Sequence, residues 1–319
     1  MRAVSLAIAL TLAPAIAHAY CRTLTAEVPA SQQPSGADCY PAGTQGSLLF
    51  WGNACVGWSM QAAPSSKLDK DAATTIVAGA FDVWASAACP GGGKPSIAFT
   101  DNGPVTCTTV GFLPNGANQH VVTFRDDAWP HAGQSNATLA LTTLTFNKRT
   151  GEIVDADMEV NTAEMKISLA AQPPADAYDF QSIVTHEVGH FIGLAHSVET
   201  AATMFARYSA GQTSIRALSP DDVAAVCDVY RATGERSVSP AAAASGLRAS
   251  DACDPKPYGG FSTACDGASS GGGGSTGGGS AGTRRCSFGH AAPRGADAIA
   301  STLTLVAVIA VARLRRRTQ

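Results

Sequence analysis

The feature that most constrains this chain is one stretch in its second half, His186-Glu187-Val188-Gly189-His190-Phe191-Ile192-Gly193-Leu194-Ala195-His196. At about 3.6 residues per helical turn, His186 and His190 leave the same face one turn apart, so both imidazoles can meet one cation with Glu187 beside them. Gly193 has no Cβ and can take the left-handed conformation that ends a helix and turns the chain, which brings His196 back to the same point. Three neutral imidazoles leave zinc its double charge and an open position, where a bound water has a pKa of about 7 and a nearby carboxylate can take its proton. A structural zinc site usually holds four protein ligands, often cysteines, whereas this stretch offers three histidines and an acid.

The motif resembles that of the metzincin metalloendopeptidases, which also carry a methionine turn beneath the metal. Met204, in Ala202-Thr203-Met204-Phe205-Ala206-Arg207-Tyr208, is its counterpart here. Within that group the chain is most similar to the matrixins. Ser197 follows the third histidine, Tyr208 stands four positions after the methionine, Leu218-Ser219-Pro220-Asp221-Asp222-Val223 reads like the matrixin C-terminal helix, and Ala80-Phe81-Asp82-Val83-Trp84 like part of the first. The resemblance covers roughly residues 40 to 232. It implies an α+β, zincin-like catalytic domain with a twisted mixed sheet, an active-site helix and a C-terminal helix. It also implies one catalytic zinc on His186, His190 and His196, Glu187 as the catalytic base, and a protein or peptide substrate. By the same likeness Leu139-Ala140-Leu141 is the edge strand that pairs with an extended substrate, a case of β-augmentation. Tyr208 then lines the pocket for the residue beyond the scissile bond. The sequence departs from the family in two places: Ala206 stands where a proline is usual, and no histidine lies between His131 and His186 to hold the matrixins' structural zinc.

A chain of 319 residues has room for one medium domain plus extra segments. Its net charge of −3, with 15% charged residues, leaves no basic stripe to neutralise phosphates, which argues against nucleic acid. Residues 1–19 read as a secretory signal: Arg2, an apolar run from Ala3 to Ala13, and Ala17-His18-Ala19 as a small-x-small cleavage site, so that the mature chain begins at Tyr20. An N-terminal membrane helix is the alternative, and the run is short for it. Nine cysteines fit an exported protein. Cys21, Cys39, Cys55, Cys89, Cys107, Cys227, Cys253 and Cys265 form an even set that can oxidise, with Cys286 apart; proximity makes Cys253 with Cys265 the one pairing to guess. Cys21, in Tyr20-Cys21-Arg22, is either a disulfide or incidental thiol, or a switch on the zinc of the kind matrixin propeptides use.

In chain order, an irregular arm runs to about Gly46, and short strands flank a turn at Gly52-Asn53. The run Leu68 to Cys89 is helical, with Ile76, Val77, Ala80, Phe81 and Trp84 at spacings of three and four and Pro90 to Gly93 as its stop. Further strands are expected at Ile97–Phe99 and His120–Phe124, then a hairpin of Thr138–Phe146 and Ile153–Asn161 around Arg149-Thr150-Gly151. His120 and His131 are solvated or hydrogen-bonded imidazoles, or substrate-side donors. Asp155, Asp157 and Glu159 alternate onto one strand face, either solvated or binding calcium. Asp176 or Asp179 caps the active-site helix, and Ser219-Pro220-Asp221-Asp222 starts another that runs to about Tyr230.

From about residue 233 to 283 Ala, Ser, Pro and Gly dominate, the composition of a flexible linker. Residues 284–319 hold Cys286, an apolar run from Ala298 to Ala312, and Arg313-Leu314-Arg315-Arg316-Arg317. Apolar span followed by arginines reads as a membrane stop with its basic end inside. It resembles the myxobacterial C-terminal sorting tail (MYXO-CTERM), which implies Cys286 as the position of processing and cell-surface anchoring. The domain plan is therefore 1–19 signal, 20–232 catalytic domain, 233–283 linker and 284–319 anchor tail. The reading is a secreted or surface-anchored zinc metalloendopeptidase. A non-catalytic, zinc-stabilised surface or adhesion module is the alternative, and zinc hydrolysis of a non-peptide amide is a third option.

Overall fold

The computed structural model describes residues 19–26, 44–131, 138–244, 254–265 and 281–290. In chain order the elements are β1 (Cys21–Arg22), β2 (Phe50–Trp51), β3 (Cys55–Met60), α1 (Lys70–Ala85), β4 (Ala98–Asp101), β5 (Val121–Phe124), β6 (Thr138–Asn147), β7 (Glu152–Val160), β8 (Ile167–Ser168), β9 (Tyr178–Asp179), α2 (Phe180–Phe191), β10 (Leu194–Ala195), β11 (Arg207–Tyr208), α3 (Pro220–Val229), α4 (Pro240–Ala244) and β12 (Ala281–His290).

The main sheet runs in the order β11-β12-β6-β7-β5-β3-β4, with β2 paired to β7. The pairs β3 with β4, β3 with β5, and β5 with β7 are parallel, while β6 lies antiparallel to β7. This is the mixed sheet that the family resemblance implies. The β6–β7 hairpin closes at Gly151, whose φ of +82° no other residue adopts easily and where a Cβ would come within 2.2 Å of the Leu48 carbonyl oxygen. The strands either side of Gly52-Asn53 go to different partners, β2 to β7 and β3 to β4 and β5.

Helix α1 is capped by Asp69, whose side chain accepts from the Ala72 amide at 2.8 Å, and it buries Ala73, Val77, Ala80, Phe81 and Trp84 on one face. It ends at Ala85, short of the expected Cys89: the Ser86 amide makes the last helical bond, to Asp82, the Ala87 amide reaches only Trp84, and the Cys89 amide bonds the Gly93 carbonyl in the turn through Pro90-Gly91-Gly92-Gly93. The Trp84 indole donates to the Thr185 carbonyl at 2.8 Å and the Trp51 indole to the Phe191 carbonyl at 2.8 Å. These two buried rings fix α2 against α1 and the sheet through polar handles as well as apolar area. Helix α3 starts with a capping box between Ser219 and Asp222, with Pro220 at its first position.

The cysteines pair otherwise than proximity suggested. Cys265 bonds Cys107, not Cys253, and Cys89 bonds Cys227; Cys21 and Cys55 are also disulfide-bonded. Oxidation of Cys21 settles against its remaining a thiol for the metal. Cys286 is a buried thiol. Residues 254–265 lie in the expected linker yet belong to the packed unit. The Cys107–Cys265 bond holds them, and the Asn118 and Gln119 amides donate to the Tyr258 and Ser262 carbonyls at 2.7 and 2.9 Å. Composition could not show this, because the anchors are single side chains and one covalent bond. Residues 1–18 of the expected 1–19 signal, the apolar run Ala298–Ala312 and the arginine cluster lie outside the described residues. Among the described residues no helix is long and apolar enough to cross a membrane.

Candidate active site

Helix α2 begins at Asp179, the second of the two expected caps, which accepts from the Ser182 amide at 2.9 Å and pairs with Arg216 at 2.6 Å. Asp176 instead faces outward and pairs with Lys166. The helix ends where Gly193 takes φ of +91°; a Cβ there would approach the Leu49 carbonyl oxygen to 2.8 Å. The chain then turns into β10, which pairs with β1, and His196 follows.

The three imidazoles converge, with one ring nitrogen from each of His186, His190 and His196 lying within 4.8 Å of the others. Nε2 of His190 is 3.0 Å from that of His186 and 3.2 Å from that of His196. The Nδ1 of His186 meets the Thr203 carbonyl at 2.6 Å and that of His190 meets the Leu194 carbonyl at 2.9 Å. A carbonyl only accepts, so each Nδ1 carries the hydrogen and each Nε2 lone pair faces the shared point. Burial and the two neighbouring rings push His186 well below the ordinary histidine range, keeping it neutral. Lone pairs this close repel unless a cation lies among them, and a neutral imidazole trio is a donor set that zinc takes. The residues therefore fit the metal that the motif implies. Among the described residues this is the one group of three or more His, Cys, Asp or Glu side chains placed to hold a metal.

Glu187 is buried beside the trio. Its Oε2 accepts from the Thr142 hydroxyl at 2.5 Å, while Oε1 has no hydrogen-bond partner among the described residues. Burial pushes its carboxyl up to about 8, opposed by the Thr142 bond, and a divalent cation close by would draw it down again. Thr142 is a site residue that the sequence did not single out, since it is one threonine among several alternating along β6.

Met204 lies under α2, and the fit depends on Gly189: a Cβ there would fall 2.1 Å from the Met204 Sδ and 2.9 Å from Trp84 Cζ2. The turn that carries Met204 is held by Asp222. Its Oδ2 accepts from the Thr203 amide at 2.7 Å and the Ser219 amide at 2.8 Å, and its Oδ1 from the Met204 amide at 3.1 Å. Asp222 thus fixes Thr203, whose carbonyl orients His186. In sequence it reads only as an acid at a helix start.

Leu139, Ala140 and Tyr208 come together with Ile183 and Ile215 in a small apolar cluster apart from the main core. Leu141 is fully buried on the same strand, outside that cluster. The Tyr208 hydroxyl meets Ser182 Oγ at 3.0 Å and also bonds the Gln212 carbonyl. One expectation is corrected: Leu139-Ala140-Leu141 is not on a free edge, because β12 pairs antiparallel with β6 along Thr138 to Asn147. The histidines and Glu187 are buried as well.

The acids on β7 are not solvated. Asp157 accepts from the Val121 and Gly111 amides at 2.9 and 2.7 Å, and Glu159 engages Arg125 and His131 at 2.6 and 2.8 Å. Protein donors fill the positions that calcium would need from Asp157 and Glu159. His120, held at 2.8 Å from the Gly57 carbonyl, is pushed down to about 4 by burial and sits 3.9 Å from Asp155.

Comparison with known proteins agrees with this geometry. A metalloendoproteinase of Arabidopsis thaliana, 5-MMP, is 31% identical over 77 residues, which cover 24% of this chain and 21% of the plant protein. The chain thus spans about a fifth of the length of that relative. The family model for matrixins, peptidase M10, matches residues 50–231, more than half of the sequence and every residue of the site just described, and the chain belongs to the matrixin family.

Proposed function

We propose that this chain is an exported zinc metalloendopeptidase in which Glu187 carries the proton between the attacking water and the leaving amine. The observation that carries the reading is the meeting of three Nε2 atoms beside a buried carboxylate oxygen that no described group engages. Zinc, when bound by His186, His190 and His196, supplies the Lewis acidity that activates water and polarises the scissile carbonyl. Thr142 holds Oε2 of Glu187 and leaves Oε1 to accept the water's proton, which Glu187 then delivers to the amine nitrogen. Asp222 and Met204 keep the histidines in register from below. A substrate backbone pairs with β6 in the place that β12 takes, and the cluster of Leu139, Ala140, Ile183, Tyr208 and Ile215 lies against an apolar side chain next to the cleaved bond.

Export and surface anchoring belong to the same proposal. Disulfide-bonded cysteines suit an oxidising compartment. The Tyr20 amide lies 3.0 Å from Asp221 Oδ1, so cleavage after Ala19 would set the new ammonium against that carboxylate. The experiment is cleavage of an unfolded protein by the oxidised, zinc-loaded chain and by Glu187→Gln. The native chain is expected to cut, and the variant to lose at least about 100-fold in rate while holding zinc equally well. If neither chain cuts and the two are indistinguishable, the protein is a zinc-stabilised surface module without catalysis.

A further inference from the structure

The strand beside β6 comes from the far end of the chain itself. β12 pairs antiparallel with β6 from Ala281 opposite Asn147 to Phe288 opposite Ala140, bulges between Phe288 and Gly289, and continues parallel to β11 with Gly289 opposite Arg207 and His290 opposite Tyr208. It therefore bridges the two elements that the functional reading assigns to substrate, the β6 edge and the Tyr208 wall. Its burial alternates as a paired strand's should: Gly282 and Cys286 are buried, Thr283 and Arg285 exposed. Gly282 lies so close to β6 that a Cβ would come within 2.8 Å of Phe146. Cys286 stands opposite Thr142, and opposed residues of an antiparallel pair project to the same face, so its thiol shares the face on which Thr142 holds Glu187. Arg284 adds a tie at 3.2 Å to the Leu24 carbonyl.

We infer that Ala281–His290 is an autoinhibitory strand that occupies the peptide-binding edge of its own catalytic domain. The inference rests on the metallopeptidase reading for the meaning of that edge, while the pairing itself does not. One sheet edge can bond one strand at a time, so an external peptide must displace β12 before its carbonyl can approach Glu187. Covalent attachment presents the strand at an effective concentration on the order of millimolar, enough to outcompete a dilute peptide.

The test compares the full native chain with a full-length chain carrying Arg284→Pro and Arg285→Pro. Successive amides of a strand point to opposite sides, so one of the two prolines must remove a donor facing β6, and neither position is buried. In the native protein the β6 amides that face β12 should resist hydrogen exchange and Cys286 should resist thiol reagents. In the variant those amides should exchange at least about 10-fold faster, peptide cleavage should rise by at least about 10-fold, and a synthetic peptide of residues 281–290 should reverse both changes. Equal exchange and equal cleavage in two active chains would overturn the strand assignment and leave the peptidase reading standing. Faster exchange that the peptide reverses, with zinc-loaded chains that both fail to cleave, would keep the strand and remove the peptidase. Mass-spectrometric detection of a cut between residues 281 and 290 in the native chain would make β12 a substrate and overturn its role as inhibitor.

Discussion

Replacing Asp222 by Asn tests how far the zinc site depends on a residue that never approaches it. The carboxylate accepts three backbone amides, two on Oδ2 and one on Oδ1, from Thr203, Ser219 and Met204. Burial pushes this carboxyl above the ordinary range even against those bonds, so removing the charge also removes a desolvation penalty. Asn can keep its oxygen towards Thr203 and Ser219, but its NH2 then faces the Met204 amide, donor against donor. One buried N–H left unsatisfied costs about 1–3 kcal/mol. For a domain of this size that lowers Tm by about 2–12 °C, at about 2–4 °C per kcal/mol. The loss should reach the metal, because Thr203 orients His186 through its carbonyl at 2.6 Å, and changes at such supporting residues weaken zinc binding by about 10–100-fold. The assay is thermal unfolding of native and Asp222→Asn chains with and without zinc, paired with chelator competition for the zinc Kd. A variant that unfolds within about 1 °C of native and holds zinc equally well would refute the chain of support from α3 to His186.

Three further outcomes follow from the same geometry. Gly189→Ala forces a Cβ into Met204 Sδ and Trp84; overpacking of about 1–3 kcal/mol should outweigh the helix-propensity gain of about 1 kcal/mol, and net stabilisation in urea would contradict the packing described. Asp155 and Asp157 are both raised by burial, Asp157 from 3.8 to about 6, so the folded chain keeps protons that the unfolded chain has released. Their contribution to stability is therefore complete below about pH 4 and declines as pH rises through about 6. Asp155→Asn should flatten that decline in urea titrations by up to about 1 kcal/mol per pH unit, and an unchanged slope would sink the assignment. Cys265→Ser opens the bond to Cys107 and should cost about 2–5 kcal/mol, with proteolysis appearing in 254–265 while zinc affinity is kept; loss of zinc affinity instead would mean that this segment supports the site.

Much of the site was legible because its chemistry is local. His186 and His190 are one turn apart on any helix, and Gly193 was readable as a left-handed exit because few other residues tolerate such a φ. The capping box at Ser219 and the hairpin at Gly151 were likewise short-range events. Thr142, Asp222 and Gly189 were not legible in the same way. Each acts on a group distant in sequence, and nothing in a threonine, an acid at a helix start or a glycine inside a motif says which carboxylate, amide or sulfur it will meet.

The linear order of residues by itself determined the histidine trio and its neighbouring carboxylate, the helix that presents His186, Glu187 and His190, and the family resemblance, since each follows from side-chain chemistry at fixed spacing along one segment. Only the tertiary structure decided that Cys265 closes onto Cys107, that Asp157 and Glu159 on β7 are met by protein donors, and that the β6 edge is taken by the chain's own β12. The physical reason is that strand and disulfide partners are chosen by which edges and thiols the fold brings together. The number of ways to make such long-range pairings is far larger than the number of conformations open to a single helical turn.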